Sequence, residues 1–333
     1  MNYIDGANLF SMHTLSNREH IEPKPFKFID LFAGIGGIRY GFEIEGGQCV
    51  FSSEIDRFAC QTYEANWGEK PSGDITQIKE SDIPNFDILL GGFPCQAFSI
   101  AGKRKGFEDA RGTMFFEIAR ILKFHKPKCF MLENVKGLLN HNSGNTFKTI
   151  KNILEEDLKY KVFFKILNAK DYGVPQNRER IIIVGFKNHK VAFDFPQPHE
   201  QKIKLGDILE KSPDPKYTIS DHLWASHQRR KEIQKAKGNG FGYCLFDENS
   251  PYTSTISARY YKDGSEILIA QKGKNPRKLT VREAARLQGF PDTFKIVCSD
   301  TQTYRQFGNS VPVKMIHAVA KQIFKSLNDA KEF

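Results

Sequence analysis

The chain has 333 residues, 40% of them hydrophobic and 26% charged, with a formal net charge of +10. That length buries a core for one sizeable domain plus a smaller one, and the basic balance favours a polyanionic partner. No run approaches the roughly 20 apolar residues of a membrane span, no secretory leader is visible, and the six cysteines form no metal-ligand or disulfide pattern, so a reduced cytoplasmic protein is expected.

Residues 1 to 24 show no clear period and read as a polar arm without an assigned function. Phe28 to Phe32 then predicts a strand, Ala33-Gly34-Ile35-Gly36-Gly37 a glycine turn and Ile38 to Glu45 a first helix. Such a turn lets backbone approach a ligand closely, although the same glycines also serve packing. The next strand, Cys49 to Ser53, ends at Glu54 and Asp56, and Glu54 stands 22 positions after Phe32. At that spacing an acidic residue reaches a ribose hydroxyl pair in nucleoside-binding sheets. A third acidic tip, Gly73-Asp74-Ile75-Thr76, follows a short strand expected near Lys70. Any one of these carboxylates reads as a helix cap or a solvated loop residue; three successive strand ends feeding one crevice ask for an adenosyl group. No GxxxxGK[ST] loop is present to hold a triphosphate.

Asp87-Ile88-Leu89-Leu90 reads as a buried parallel strand that opens onto Gly91-Gly92-Phe93-Pro94-Cys95-Gln96. Pro94 fixes its own φ and biases Phe93 toward extended geometry, so Cys95 is presented by stiff backbone at the sheet edge where open α/β folds keep their chemistry. A lone cysteine is more often a small core hydrophobe, and only the company of the other motifs argues otherwise. Residues 97 to 112 are glycine-punctuated and basic, either a lid over an anionic polymer or a solvated loop. Thr113 to Phe124 predicts a helix, and Lys128 to Leu132 a strand that ends in Glu133-Asn134-Val135 and brings a carboxylate to the Cys95 edge. A helix over Gly144 to Asp157 and a strand over Val162 to Asn168 lead to Pro175-Gln176-Asn177-Arg178-Glu179-Arg180 and a strand over Ile181 to Phe186. Arg178 and Arg180 alternate on one side of an extended segment, as a solvated charge run or as a pair facing the crevice.

From about 196 to 300 the α/β rhythm fails, and loops and short strands are expected around Gly238 to Tyr243 and Thr253 to Tyr261, near Arg229, Arg230, Lys231 and Arg259. Thr280-Val281-Arg282-Glu283 has the form of a capping box opening a helix to Gln288. Pro312 opens a last helix with Val313, Ile316, Ala320, Ile323 and Leu327 on one face.

The ordered set Phe32 to Gly37, Gly92 to Gln96, Glu133 to Val135, Gln176 to Arg180 and Gln306 to Val311 resembles the bacterial DNA cytosine-5 methyltransferases over about residues 26 to 325. The resemblance implies an α/β fold: a Rossmann-like mixed seven-stranded sheet, formed by residues 25–195 with 301–333, and a smaller target-recognition domain at 196–300. It implies S-adenosylmethionine as cofactor, held by Phe32, Gly34, Gly36, Gly37, Glu54, Ile55, Asp74, Ile75, Pro94, Asn309 and Val311. Ile55 departs from the family, which often has Trp there, so plain apolar contact would replace ring stacking on adenine. Double-stranded DNA is the implied partner, with the target base flipped out. Cys95 would be the nucleophile, Glu133 would hold the ring nitrogen and amine, and Arg178 and Arg180 would hold the base's oxygen and orient the carboxylate. Implied DNA contacts are Gln96, Ser99, Lys103, Arg104, Arg229 and Arg259. Residues 237 to 243 and 255 to 264 further resemble methylases that read CCWGG or CCNGG, which makes Arg259 a candidate for a bidentate guanine contact. A cognate restriction endonuclease and a monomeric state are further expectations. A tRNA cytosine methyltransferase and a silent DNA-binding relative stay open as alternatives, the first disfavoured by the insert at 196–300 and the second by the complete catalytic set.

Overall fold

The computed structural model describes residues 26–94, 114–199 and 203–332. The N-terminal arm, Cys95, Gln96, Ser99, Lys103, Arg104 and the rest of the basic segment 97–112 lie outside the described residues. Strands β1 (Lys27–Leu31), β2 (Gln48–Ser53), β3 (Ile88–Gly92) and β4 (Cys129–Val135) are parallel, and β6 (Glu179–Phe186) enters antiparallel between β4 and β5 (Lys161–Asn168). The sheet order is β2-β1-β3-β4-β6-β5.

Side-chain alternation divides this sheet into two apolar faces. Phe28, Ile88, Leu90, Met131 and Val184 face α1 (Gly37–Glu43) and α8 (Val313–Asp329). Ile29, Leu89, Phe130, Leu132 and Ile183 face α3 (Met114–His125) and α4 (Asn145–Asn152). The chain continues past α4 as one π-turn, Ile153–Asp157, so the helix expected to end at Asp157 changes its winding partway. On α8 the anticipated face is buried as expected: Ile316, Ala320, Ile323 and Leu327 lie against the sheet, and Val313 turns to another core.

Two elements differ from expectation. The short strand near Lys70 does not form: beside β2 the chain makes one sheet-like bond, from Ser72 N–H to the Ser52 carbonyl at 2.8 Å. Six strands, not seven, therefore make the main sheet among the described residues. In the region expected to be loops and short strands, the 16-residue helix α5 (Asp221–Ala236) carries Arg229, Arg230 and Lys231. Only His227 of α5 is buried, so the helix has no apolar stripe to betray it.

The same region holds a small sheet of β7 (Leu245–Phe246), β8 (Leu268–Gln271) and β9 (Lys274–Arg277). Helix α6 (Val281–Leu287) starts at the anticipated capping box, with Thr280 and Glu283 each accepting from the other's backbone N–H. A third core joins Leu205, Ile256, Tyr260, Leu287 and Phe290 to Phe307 of α7 (Asp300–Asn309), to Val313 and to Ile35 and Ala59. This core crosses the boundary expected at residue 300, so the second region is welded to the first by apolar contact. Among the described residues no helix is long and apolar enough to cross a membrane.

Candidate active site

The carboxyl ends of β1 to β4 converge on a cavity of about 1210 Å³. Phe32 and Gly34 come from the β1 turn, Glu54 from the end of β2, Pro94 from the turn after β3, and Glu133 from β4. An antiparallel strand presents its beginning where its parallel neighbours present their ends. Arg180, near the start of β6 and opposite Val135, thus shares a sheet face with Glu133, whose partner is Ile182.

On the cofactor side, Gly34 lies at φ +55°, and a side chain built there would meet nothing within 4 Å, which leaves open cavity above the backbone. Its N–H donates to Glu54 Oε2 at 2.8 Å, while Glu54 Oε1 accepts from the N–H groups of Ile55 and Asp56 at 2.8 Å. A carboxylate with two oxygens has capacity beyond these three bonds, enough to accept a pair of hydroxyls. Ile55 beside it is 75% exposed on the cavity rim, where an apolar contact is expected in place of Trp. Phe32 also adopts a positive φ of 58°, uncommon for a residue with a side chain. An adenosyl group fits this set of open backbone, carboxylate and apolar rim.

Other expected cofactor residues divide by role. Gly37, Asn309 and Val311 line the cavity, and a Cβ on Gly37 would come within 2.7 Å of Ser310 Oγ. Gly36 does not line it; a Cβ there would meet the Trp67 ring at 2.4 Å, so this glycine serves helix packing. Asp56 caps α2 (Arg57–Trp67) through Phe58 and Ala59. Asp74 likewise accepts from Thr76 N–H at 2.9 Å, and it lines an adjoining cavity that shares Glu54 and Ile55 with the first. Ile75 is 2% exposed in the core and lines neither cavity.

On the catalytic side, Glu133 is 8% exposed and its Oε1 accepts from Arg180 Nε at 2.8 Å. Burial pushes the Glu133 carboxyl above the usual carboxylate range, against the pull of Arg180 and Arg178. Asn134 Nδ2 donates to the Phe93 carbonyl at 2.8 Å, which ties the end of β4 to the turn carrying Pro94. The two arginines share a side, as alternation requires, but have different partners. Arg178, 1% exposed, donates through Nη1 to the Ile256 carbonyl at 2.9 Å and through Nη2 to the carbonyls of Gly308 at 2.9 Å and Ser310 at 2.6 Å. Its terminal nitrogens hold backbone, its Nε has no partner, and burial lowers its pKa to about 9 with Arg180 adding to the effect. Arg259 lines the cavity from the second region, whereas Arg229 lies exposed on α5 and does not. Cys129 is the buried core thiol a lone cysteine usually is, and its pKa is pushed up by desolvation.

One group escaped the sequence reading. Asp30 is fully buried within β1, neither carboxyl oxygen completes a hydrogen bond, and burial raises its pKa to about 7 despite Arg39 nearby. The available signal was a carboxylate inside the apolar run Phe28-Ile29-Asp30-Leu31.

Residues 26–325 match the model of the C-5 cytosine-specific DNA methylase family. The chain is 63% identical over 308 residues to the Type II methyltransferase M.SsoII of Shigella sonnei, covering 91% of this chain and 81% of that one. It is 59% identical over 319 residues to the Type II methyltransferase M1.ScrFI of Lactococcus lactis subsp. cremoris, covering 94% and 82%. The crystal structure of S. pombe Dnmt2 methyltransferase shares the fold, with a TM-score of 0.74 at 19% identity over 92% of this chain and 99% of that chain. The methyl donor is S-adenosylmethionine, and the chain belongs to the C-5 cytosine-specific DNA methylases as a DNA cytosine-5 methyltransferase of the type II restriction-modification kind.

Proposed function

We propose that this enzyme methylates the inner cytosine of a short duplex site of the CCWGG or CCNGG type, through a covalent bond between Cys95 and the flipped base. The single observation that carries the reading is the buried Glu133–Arg180 pair at 2.8 Å, in a cavity that also holds the turn leading to Cys95. Cytosine carbon 5 is a poor nucleophile, and addition of the Cys95 thiolate to carbon 6 turns the ring into an enamine. Burial raises the Glu133 carboxyl above the usual range, which suits it to share a proton with ring nitrogen 3 as charge develops there and to accept from the exocyclic amine. Arg180 fixes that carboxyl and faces the base's oxygen, while Arg178 holds the surrounding backbone. S-adenosylmethionine, when bound, supplies the electrophilic methyl group. Loss of the carbon 5 proton and departure of the thiolate, with the nitrogen 3 proton returning to Glu133, then release 5-methylcytosine.

In the same reading, residues 25–195 with 301–333 carry the chemistry and 196–300 read the target. Lys103, Arg104, Gln96, Ser99 and Arg229 contact DNA, and Arg259, on the cavity wall, takes a guanine edge. The enzyme acts as a monomer alongside a restriction endonuclease of the same specificity. Bisulfite sequencing of a plasmid exposed to the protein and S-adenosylmethionine tests the proposal. The expected result is protection of the inner cytosine at one short site; methylation of tRNA but not of the plasmid would overturn it.

A further inference from the structure

Two side-chain bridges join the same two backbone segments below the cavity. In the first, Gln176 Oε1 accepts from Ile256 N–H at 3.1 Å, and Gln176 Nε2 donates to Gln288 Oε1 at 3.1 Å and to the Leu287 carbonyl at 3.0 Å. Gln288 Nε2 in turn donates to the carbonyls of Phe307 and, at 3.3 Å, Ser310. The second is Arg178, which spans from the Ile256 carbonyl to those of Gly308 and Ser310. Both backbone polar groups of Ile256 are thus held, one by each bridge. Gln176 and Gln288 are both 0% exposed. Between the bridges the segments touch directly: a Cβ on Gly308 would come within 2.4 Å of Ser257 carbon and oxygen and Ala258 nitrogen.

One segment, Thr255 to Arg259, forms the cavity wall on the side read as target-facing; the other runs into Asn309, Ser310 and Val311 beside the cofactor turn. Buried amides and a buried guanidinium are costly when unpaired, so neither segment can shift without moving the other or stranding several donors. Ordinary packing at such a contact needs no polar side chains, and here three buried ones are aimed at the backbone of both segments. We propose that Gln176, Arg178 and Gln288 are positioning residues that couple cofactor occupancy to target binding. This rests on the reading of 255–259 as target-facing and 309–311 as part of the cofactor site.

The test is the ratio of dissociation constants for a duplex carrying the methylated site's sequence, without and with S-adenosylhomocysteine, measured by fluorescence anisotropy. For the intact enzyme a ratio in the roughly 5–150 range is expected, and reciprocity requires the duplex to tighten S-adenosylhomocysteine by the same factor in calorimetry. Gln288→Met and, independently, Gln176→Met should bring the ratio to within about twofold of one while each ligand alone binds nearly as before. A purely structural contact would lower thermal stability and leave the ratio unchanged, which overturns the inference. A ratio of one in the intact enzyme overturns it without need of a variant, while the methyltransferase reading stands. Failure of the intact enzyme to bind either ligand would instead sink that reading.

Discussion

Around the main sheet, order comes from burial: residues of alternate parity fill two apolar faces, and the helices are placed by their stripes. Between residues 203 and 299 a smaller apolar core is supplemented by polar staples. Glu283, 0% exposed, holds Arg277 through both oxygens at 2.7 and 2.8 Å and accepts from Thr280 and Glu210 N–H. Helix α5 is fastened by Trp224 against Tyr243 at 4.7 Å and by Arg230 and His227 to Asp263. On the proposed reading, local staples let the loops of this region vary while the third core keeps it joined to the main sheet. Perturbations of the sheet edge should therefore abolish the reaction, and those of the second region should change stability or choice of target.

The largest expected effect is at Cys95, the residue after the turn that ends at Pro94. Cys95→Ser should bind S-adenosylhomocysteine normally in calorimetry and lose turnover by on the order of 10³-fold or more. In the second region, Glu283→Ala removes four bonds and leaves Arg277 buried without its partner, a loss of roughly 3–5 kcal/mol in urea unfolding. A loss below about 1 kcal/mol would show that apolar burial, not stapling, holds that half.

Asp30 sharpens the contrast from within the sheet. Its folded pKa of about 7 lies above the ordinary 3.8, so the folded state keeps a proton that the unfolded chain gives up. The stability this contributes is complete below about pH 4 and is lost as pH rises through about 7, a change of roughly 4 kcal/mol from this group. Asp30→Asn should flatten that part of the curve in unfolding measured from pH 4 to 8; an unaltered slope would contradict it. The smallest effect belongs to Arg259→Ala, which should cost roughly 1–3 kcal/mol of discrimination at one base pair and leave nontarget affinity nearly unchanged in competition binding. Equal weakening on all duplexes would make Arg259 a phosphate contact.

Apolar periodicity made β1 to β4 and the buried face of α8 legible in the sequence, and the spacing of Glu54 from Phe32 with Glu133 at a strand end pointed to the cavity these residues line. What stayed hidden depends on partners distant along the chain. Arg178 reads as Arg180 does until its carbonyls appear, 78 and 130 residues or more away. Asn134 gives no hint that it holds the Phe93 carbonyl, and α5 has no stripe to reveal it. The missing seventh strand is of the same kind, since whether the chain near Lys70 pairs beyond the single Ser72–Ser52 bond depends on β2, distant along the chain.

The central claim is the bond between one sulfur and one pyrimidine carbon. A duplex carrying 5-fluorocytosine at the target, incubated with the enzyme and S-adenosylmethionine, retains the adduct because fluorine cannot leave as a proton does. Mass spectrometry of the digested complex should find the nucleotide attached to Cys95 in a one-to-one adduct. Methylation of ordinary duplex without any trapped species, or attachment to another residue, would contradict the account.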